Sequence, residues 1–268
     1  MHIHVITHAL DDFDGHDHYM LAPIVAAMRE DGHTVSFGRG VEESPPPADL
    51  AIMHVDLTVV PPEYREYAAQ FPRCANLAVD DISKRRISDA VLTPDSDWTG
   101  RVMVKANLNC SGIPERRRGL VSRLRNASAL PGKPAQYATY RSFAAVPPAI
   151  RDDPELIVER FVPEKVGDFF TCRFWTFSGE AERCTQVFTQ QGPIVKASGL
   201  SHFEYCEVPD AMREKRAQLG FDYGKFDFVI HDGEVILLDA NKTPGTPPVS
   251  NKSQWPIDYA RGLIGLVE

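Results

Sequence analysis

The stretch from residue 224 to residue 245 reads GKFDFVIHDGEVILLDANKTPG. Two apolar runs flank an Asp-Gly dipeptide, a combination that predicts a β-hairpin. Three polar side chains, Asp227, Asp239 and Asn241, interrupt these runs. Asp is uncommon in strands, and a buried carboxylate needs a cation or several hydrogen-bond donors to offset the loss of hydration. The hairpin is therefore the first place to look for a binding site.

The register of the hairpin decides whether these three polar residues lie together. Asp239 and Asn241 are two residues apart and project from one face of their strand. A two-residue turn sets Asp227 opposite Leu238, on the other face, whereas a three-residue loop sets it opposite Leu237 and brings all three to one face. Three oxygen ligands on one face, with room for water and phosphate oxygens, suit Mg²⁺. An exposed hairpin face with scattered polar residues is the alternative.

The order of these residues resembles a known family. Asp-Phe, Asp-Gly, Leu-Leu-Asp-Ala-Asn and Pro-Gly follow one another as in the metal-binding hairpin of the ATP-grasp superfamily, nearest in pattern to the ribosomal-protein glutamate ligases and glutathione synthetases. The resemblance implies that Asp227, Asp239 and Asn241 hold two Mg²⁺ ions, replaceable by Mn²⁺, that bridge the phosphates of ATP. The family usually has Glu where this chain has the shorter Asp239.

Residues 156–164, which read LIVERFVPE, resemble the family's strand between two lobes. The resemblance implies that Glu159 contacts the adenine amino group, that Phe161 and Val162 contact the ring, and that Glu164 contacts the ribose. Without the resemblance, strand alternation explains the same residues as an amphipathic strand with a solvent-facing Glu-Arg pair.

Two lysines precede that strand and resemble the family's phosphate contacts. Lys105 ends an apolar strand and is followed by a loop of small residues that includes Ser111 and Gly112. A fixed positive charge beside flexible backbone N–H groups suits a triphosphate. Lys84 stands where the family has its other nucleotide-facing lysine, although a lone helical lysine is more often a solvated side chain.

Arg173 lies inside the hydrophobic stretch FFTCRFWTF, which resembles a further segment of the family. The resemblance implies that Arg173 and Lys105 act in catalysis on the γ-phosphate and the anionic intermediate. A planar guanidinium suits such an anion. The alternative is an arginine on the outer face of the sheet that pairs with a surface Glu.

The chain divides by pattern into two parts. Strands and helices alternate over residues 1–80, which predicts a small N-terminal α/β domain with a parallel sheet. Residues 81–268 have strands joined by turns, an α+β pattern with antiparallel pairing. The resemblance implies that they form an ATP-grasp domain with antiparallel sheets, divided into a smaller lobe (81–160) and a C-terminal lobe (161–268). A short strand is expected over 75–79, and helices are expected over 61–71, 81–92, 114–128 and 210–219.

Composition excludes several classes of protein. The 268 residues carry 29 Lys and Arg against 37 Asp and Glu, a net charge of −8, with 43% hydrophobic residues. These values fit a soluble globular protein and disfavour disorder and nucleic-acid binding. We expect no membrane segment or secretory signal, and hence a cytoplasmic protein. Five scattered cysteines without a C-x-x-C pair predict neither a disulfide scaffold nor a zinc site.

The resemblance implies an ADP-forming carboxylate–amine ligase, whose partners are ATP, a small-molecule or peptide carboxylate and an amine acceptor. A small-molecule kinase on the same fold and a nucleotide-binding protein without turnover are the alternatives, and a homodimer stays open. We expect the acceptor site to be formed by the N-terminal domain and the loops around 192–202, with contacts from His16 and His18. The acidic residues before the first helix fit capping better than metal binding. Residues 116–118 predict a solvated basic helix face.

Overall fold

The fold is described from a computed structural model, in which residues 1–11, 18–120, 137–195, 199–246 and 254–267 are placed. Its N-terminal part is a parallel sheet with the strand order β2-β1-β3-β4. The elements are β1 (His2–Thr7), α1 (Leu21–Glu30), β2 (Thr34–Arg39), β3 (Leu50–His54), α2 (Pro62–Ala68) and β4 (Cys74–Ala75).

A three-stranded antiparallel sheet with the order β6-β5-β7 follows. Its elements are α3 (Lys84–Ile87), β5 (Val102–Ala106), α4 (Ile113–Arg117), β6 (Ala138–Tyr140), α5 (Pro148–Arg151) and β7 (Leu156–Arg160). This sheet forms one wall of the cavity described below.

A six-stranded antiparallel sheet completes the fold. Its order is β11-β10-β9-β12-β13, and β8 pairs with β9 beside β12. The elements are β8 (Glu164–Val166), β9 (Phe169–Ser178), β10 (Ala181–Thr189), β11 (His202–Tyr205), α6 (Asp210–Leu219), β12 (Tyr223–His231), β13 (Glu234–Asn241) and α7 (Trp255–Ile264).

Hydrophobic packing joins the parallel sheet to the six-stranded sheet. One face of the six-stranded sheet carries an aromatic core beneath α6, and its buried members include Trp175, Phe177, Phe226 and Phe228. Helix α7 packs beside α1 in the core of the parallel sheet. The expected fold class, a parallel α/β part followed by antiparallel α+β sheets, is confirmed.

Several expected elements are shorter than the sequence pattern indicated. The expected helix over 81–92 is only α3, because the backbone turns extended at Ser88 and Asp89 then bonds to Leu237 on β13. The expected strand over 75–79 stops at β4, because Asn76 takes a left-handed conformation (φ 62°) and its side chain bonds to Tyr223. Tertiary hydrogen bonds override local propensity at both places.

Two other helices also end early. The helix expected over 61–71 is α2, and the basic helix expected over 114–128 is α4, which ends at Arg117. Residues 121–128 lie outside the described part of the chain. Within the described ranges, no helix combines the length and the apolar character that crossing a membrane requires.

Candidate active site

The hairpin of β12 and β13 brings Asp227 and Asp239 directly opposite each other. The turn has two residues, since His231 pairs with Glu234. A regular ladder from that turn would place Asp227 opposite Leu238, but a β-bulge shifts the register between Asp227 and Phe228. Residues directly opposite in an antiparallel pair share a face. Asp227 and Asp239 thus share a face, but by a route that neither of the two registers considered for the sequence provides: the turn has two residues, and the extra residue lies in β13, where Leu238 and Asp239 both line the cavity.

A cavity lies between this face and the three-stranded sheet. Lys84, Lys105, Asp227 and Asp239 all line it. Four further residues expected to contact the nucleotide line it as well: Glu159, Phe161, Val162 and Glu164. The structure therefore brings together, from both antiparallel sheets and from α3, most of the residues that the sequence singled out.

Each lysine of this cavity wall pairs with a carboxylate. Lys84 Nζ lies 2.7 Å from Asp239 Oδ1, and Lys105 Nζ lies 2.5 Å from Glu159 Oε2. Burial lowers the pKa of both lysines, but the attraction of the paired carboxylate outweighs burial and holds each pKa above its ordinary value. Both lysines are therefore charged at neutral pH, as phosphate binding requires.

A third pair, Lys225 and Asp227, lies on the same hairpin face. Lys225 Nζ is 2.7 Å from Asp227 Oδ1 and 3.9 Å from the ring centre of Phe174. Burial raises the pKa of Asp227, and Lys225 partly offsets that rise. Sequence reasoning missed Lys225, although its position two residues before Asp227 in a strand predicts the same face.

Glu159 has an unused acceptor inside the cavity. Its side chain is 1% exposed, and Oε1 has no hydrogen-bond partner among the residues that the structure describes. Buried carboxylate oxygens normally accept a hydrogen bond. A ligand N–H group, such as the adenine amino group, would satisfy this atom, so Glu159 fits the contact that the resemblance implies.

The hairpin residues fit Mg²⁺ held jointly by protein and phosphate. In the described residues, no group of three or more His, Cys, Asp or Glu side chains is arranged to hold a metal ion by itself. Asp227 and Asp239 offer two carboxylates, and Asn241, two residues along the same face, has an amide oxygen that accepts a hydrogen bond from the backbone N–H of Thr243 at 2.9 Å. Such hard oxygen donors suit Mg²⁺, which commonly uses one or two carboxylates plus phosphate oxygens and water.

Four of the expected site residues do not line this cavity, and one of them, Asn241, lines the second cavity described below. Ser111 and Gly112 follow β5 in left-handed conformations (φ 55° and 70°) and are not among the lining residues. Arg173 pairs with Phe228 across the ladder, on the face opposite to Asp227. Its guanidinium forms an ion pair with Glu164, which is buried and is therefore not the surface Glu of the alternative considered for Arg173. A catalytic role of Arg173 stays a prediction that this placement does not support.

The parallel sheet contacts the end of the hairpin through buried polar groups. Lys242, fully buried, donates a hydrogen bond to the carbonyl of Leu57 at 2.5 Å. Thr243 donates to Asp56 Oδ1, and Tyr19 donates to Asp56 Oδ2, each at 2.7 Å. The residue that follows Asn241 thus ties the hairpin to the N-terminal part.

The structure does not place the histidines near the N-terminus, or Arg118, as expected from the sequence. His18 is exposed, its ring lies tilted against the ring of Tyr19, and it does not line the cavity between the two antiparallel sheets. His16 lies outside the described residues. The expectation of a solvated basic face is wrong for Arg118: its side chain is 9% exposed and forms an ion pair with buried Asp11. A contact distant in sequence, invisible to local pattern, explains the difference.

Comparison with known proteins identifies related solved structures. No protein-family model and no curated protein sequence matches the chain. The D-cycloserine synthetase DcsG superposes over 100% of both chains, with a TM-score of 0.54 and 14% identity. A RimK domain protein ATP-grasp from Sphaerobacter thermophilus DSM 20745 covers 98% of this chain and 99% of its own, with a TM-score of 0.52 and 12% identity.

A D-alanine–D-alanine ligase from Bacillus anthracis, solved in complex with ATP, is a third similar structure. The match covers 100% of this chain and 95% of that one, with a TM-score of 0.52 and 13% identity. At these identities the likeness establishes the fold alone.

Proposed function

We infer that this chain, which has the ATP-grasp fold, is an ADP-forming ligase that activates a carboxylate with ATP and joins it to an amine. One observation carries the proposal: the bulge sets Asp227 opposite Asp239, on a cavity wall that also holds Lys84 and Lys105. Two carboxylates beside two buried, charged lysines form a site for a magnesium-bound triphosphate.

Residues of opposite charge would bind different parts of the magnesium-bound nucleotide. Asp227, Asp239 and Asn241 would hold Mg²⁺, which when bound neutralises the phosphate oxygens. Lys84 and Lys105 would exchange their carboxylate partners for phosphate oxygens, and Glu159 Oε1 would accept a hydrogen bond from adenine. Catalysis would then rest on positioning and charge neutralisation.

The proposed reaction has two balanced steps. An oxygen of the substrate carboxylate forms a bond to the γ-phosphorus of ATP, the bond from that phosphorus to the β,γ-bridging oxygen breaks, and ADP leaves. The amine nitrogen then forms a bond to the acyl carbon while the carbon–oxygen bond to phosphate breaks. Phosphate leaves with the electron pair, and the amine proton passes to water. Structures named as a synthetase and as a ligase share this fold, which supports the reaction class.

Hydroxylamine trapping tests the proposal. The protein is incubated with Mg²⁺, ATP and a panel of carboxylic and amino acids, and ADP and hydroxamate are measured after addition of hydroxylamine. An acyl phosphate reacts with hydroxylamine to give a hydroxamate, so ADP and hydroxamate should appear together. A stable phosphorylated product without hydroxamate indicates a kinase. Binding of Mg·ATP without ADP formation indicates a nucleotide-binding protein.

A pair of hairpin variants locates the activity. Asp239→Asn should lower ADP formation by about 10²–10³-fold, the usual cost of losing one preorganised charge contact. Asp232→Asn in the same hairpin is the control, because the side chain of Asp232 is 94% exposed in the turn. Equal activity of the two variants would contradict the assignment of the site.

A further inference from the structure

A second cavity of about 300 Å³ continues along the same face of the six-stranded sheet. Its floor is a row of directly paired residues from four neighbouring strands: Asn241, Lys225, Thr176 and Arg183. Directly opposite residues share a face, so this row lies beside the row that holds Asp239 and Asp227. The cavity thus begins at the proposed metal and phosphate site and extends away from it.

Arg183 is the charged group at the far end of this row. Its Nη1 atom is buried and makes no hydrogen bond within the described ranges of the chain. The guanidinium carbon lies 5.3 Å from the ring centre of Tyr205, which leaves the edge of the guanidinium for another partner. None of the residues found to line the cavity is acidic. A buried guanidinium edge without an internal carboxylate suits a ligand carboxylate, which it can bind through two parallel hydrogen bonds.

The other walls of the cavity are largely apolar. Phe174, Val187, Leu200 and Phe203 line one side, and Trp255 of α7 lines another. A cavity with apolar walls and a few polar groups binds a small amphipathic molecule in one orientation. The apolar walls therefore favour a ligand with a hydrophobic side chain, and Arg183 favours a ligand that also carries a negatively charged group.

Strand spacing determines which carboxylate Arg183 can bind. Arg183 and Lys225 lie two strands apart in one row, and neighbouring strands are separated by about 4.8 Å, so their Cα atoms are roughly 10 Å apart. The carboxylate that attacks the γ-phosphate must lie next to the phosphate site, at the Lys225 end. A carboxylate at Arg183 is therefore one that does not react.

We propose that this cavity binds the amine acceptor, an amino acid with an apolar side chain, and that Arg183 binds its unreacted carboxylate. The amino group of the acceptor would then face Lys225 and Asn241, where the acyl phosphate forms. This inference rests on the proposed ligase function. Arg183 acts here as a binding and specificity residue for the acceptor.

Calorimetric titration tests the proposal directly. The full chain is saturated with Mg²⁺ and a non-hydrolysable ATP analogue and is titrated with D- and L-leucine, D- and L-phenylalanine, and the amide of each. At least one acid should bind, and its amide should bind at least about tenfold more weakly, since a charge-assisted pair is worth more than the 1.4 kcal/mol that a tenfold change represents.

Variants assign this effect to Arg183. Arg183→Gln should weaken binding of the acid at least about tenfold and bring acid and amide to similar affinity; in turnover, KM for the acceptor should rise while kcat changes by less than about threefold. Arg213→Gln is the matched control, because Arg213 is 47% exposed on α6 and lines neither cavity. It should behave as the unmodified protein does.

Three results would overturn the proposal: equal binding of acid and amide, unchanged binding by Arg183→Gln, or binding of none of the four acids. The comparison of acid with amide needs no variant, so it decides the matter even where Arg183→Gln fails to fold. Failure of the ligase proposal is recognised separately, because ADP and hydroxamate would then not appear together in the hydroxylamine assay, whereas that assay does not depend on Arg183 binding the acceptor carboxylate.

Discussion

Neighbouring residues of β12 point to opposite sides of the six-stranded sheet and meet different surroundings. Phe226 and Phe228 are fully buried, and Phe226 packs edge-on against the rings of Trp175 and Phe177. Lys225 and Asp227, one residue away on either side of Phe226, form an ion pair at the cavity. The aromatic face stabilises the fold through burial of apolar area. The cavity face keeps charges in a partly dry environment, where Lys84, Lys105 and Lys225 each have a carboxylate as counter-charge.

The difference shows how a strand can serve stability and binding together. On the cavity wall each positive charge has a nearby carboxylate, as in Lys84–Asp239 and Lys105–Glu159. Such pairs contribute little net stability, because the desolvation of both ions offsets their attraction. They keep the groups charged until phosphates and Mg²⁺ replace the internal partners. We therefore expect mutations on the two faces to separate stability from activity.

The adjacent residues Phe226 and Asp227 give the largest expected contrast. Phe226→Ala should lower the free energy of unfolding by about 3–5 kcal/mol, because it empties a buried aromatic site. Asp227→Asn should lower it by about 1–2 kcal/mol, yet it should reduce ADP formation by about 10²-fold or more. Urea unfolding and the coupled ADP assay measure the two effects. The prediction fails if Asp227→Asn lowers the free energy of unfolding more than Phe226→Ala does, or if Phe226→Ala reduces ADP formation more than Asp227→Asn does.

Breaking a pair on the cavity wall should cost more than removing it. Glu159→Leu leaves Lys105 buried and unpaired and should lower the free energy of unfolding by about 3–5 kcal/mol. Adding Lys105→Met should restore at least about 2 kcal/mol of that loss, since the double variant buries no lone charge. Unfolding of both single variants and the double variant gives the coupling energy. If the loss of unfolding free energy in the double variant equals the sum of the losses in the two single variants, Lys105 and Glu159 do not stabilise each other.

The bulge in β13 predicts that the fold tolerates deletion of Leu238. Without Leu238, a regular ladder from the two-residue turn still pairs Asp227 with Asp239, so we expect a loss of only about 1–2 kcal/mol from the missing side chain. Deletion of Ala240 is the control, because it turns Asn241 toward the aromatic face and should cost more. Urea unfolding and binding of an ATP analogue compare the two. A larger loss for the Leu238 deletion would contradict this account of the register.

Lys242 gives the smallest expected effect. Burial lowers its pKa to about 8, although nearby carboxylates raise it, and its Nζ atom bonds only to backbone carbonyls of Leu57 and Thr58 in the described structure. Lys242→Met should raise the free energy of unfolding by about 1 kcal/mol, because it removes a charge that is costly to bury. Chemical denaturation measures the change. A loss of stability would mean that these hydrogen bonds outweigh desolvation.

Local pattern in the sequence was sufficient for much of the fold. Alternation and turn residues predicted the β12–β13 hairpin and α6, and the order of the motifs led to the ATP-grasp fold that the solved structures share. These elements follow from side-chain periodicity and turn chemistry, which act within a few residues. The chemical character of Asp227, Asp239 and Lys105 was visible for the same reason, since charge inside an apolar run is a local signal.

Only the tertiary structure decided how those residues meet. The bulge at Leu238 sets the faces of Asp227 and Asp239, and a contact distant in sequence buries Arg118 against Asp11. The row that ends at Arg183 exists because four strands come into register. Such placements depend on packing and hydrogen bonds between segments far apart in the chain, which no local pattern encodes.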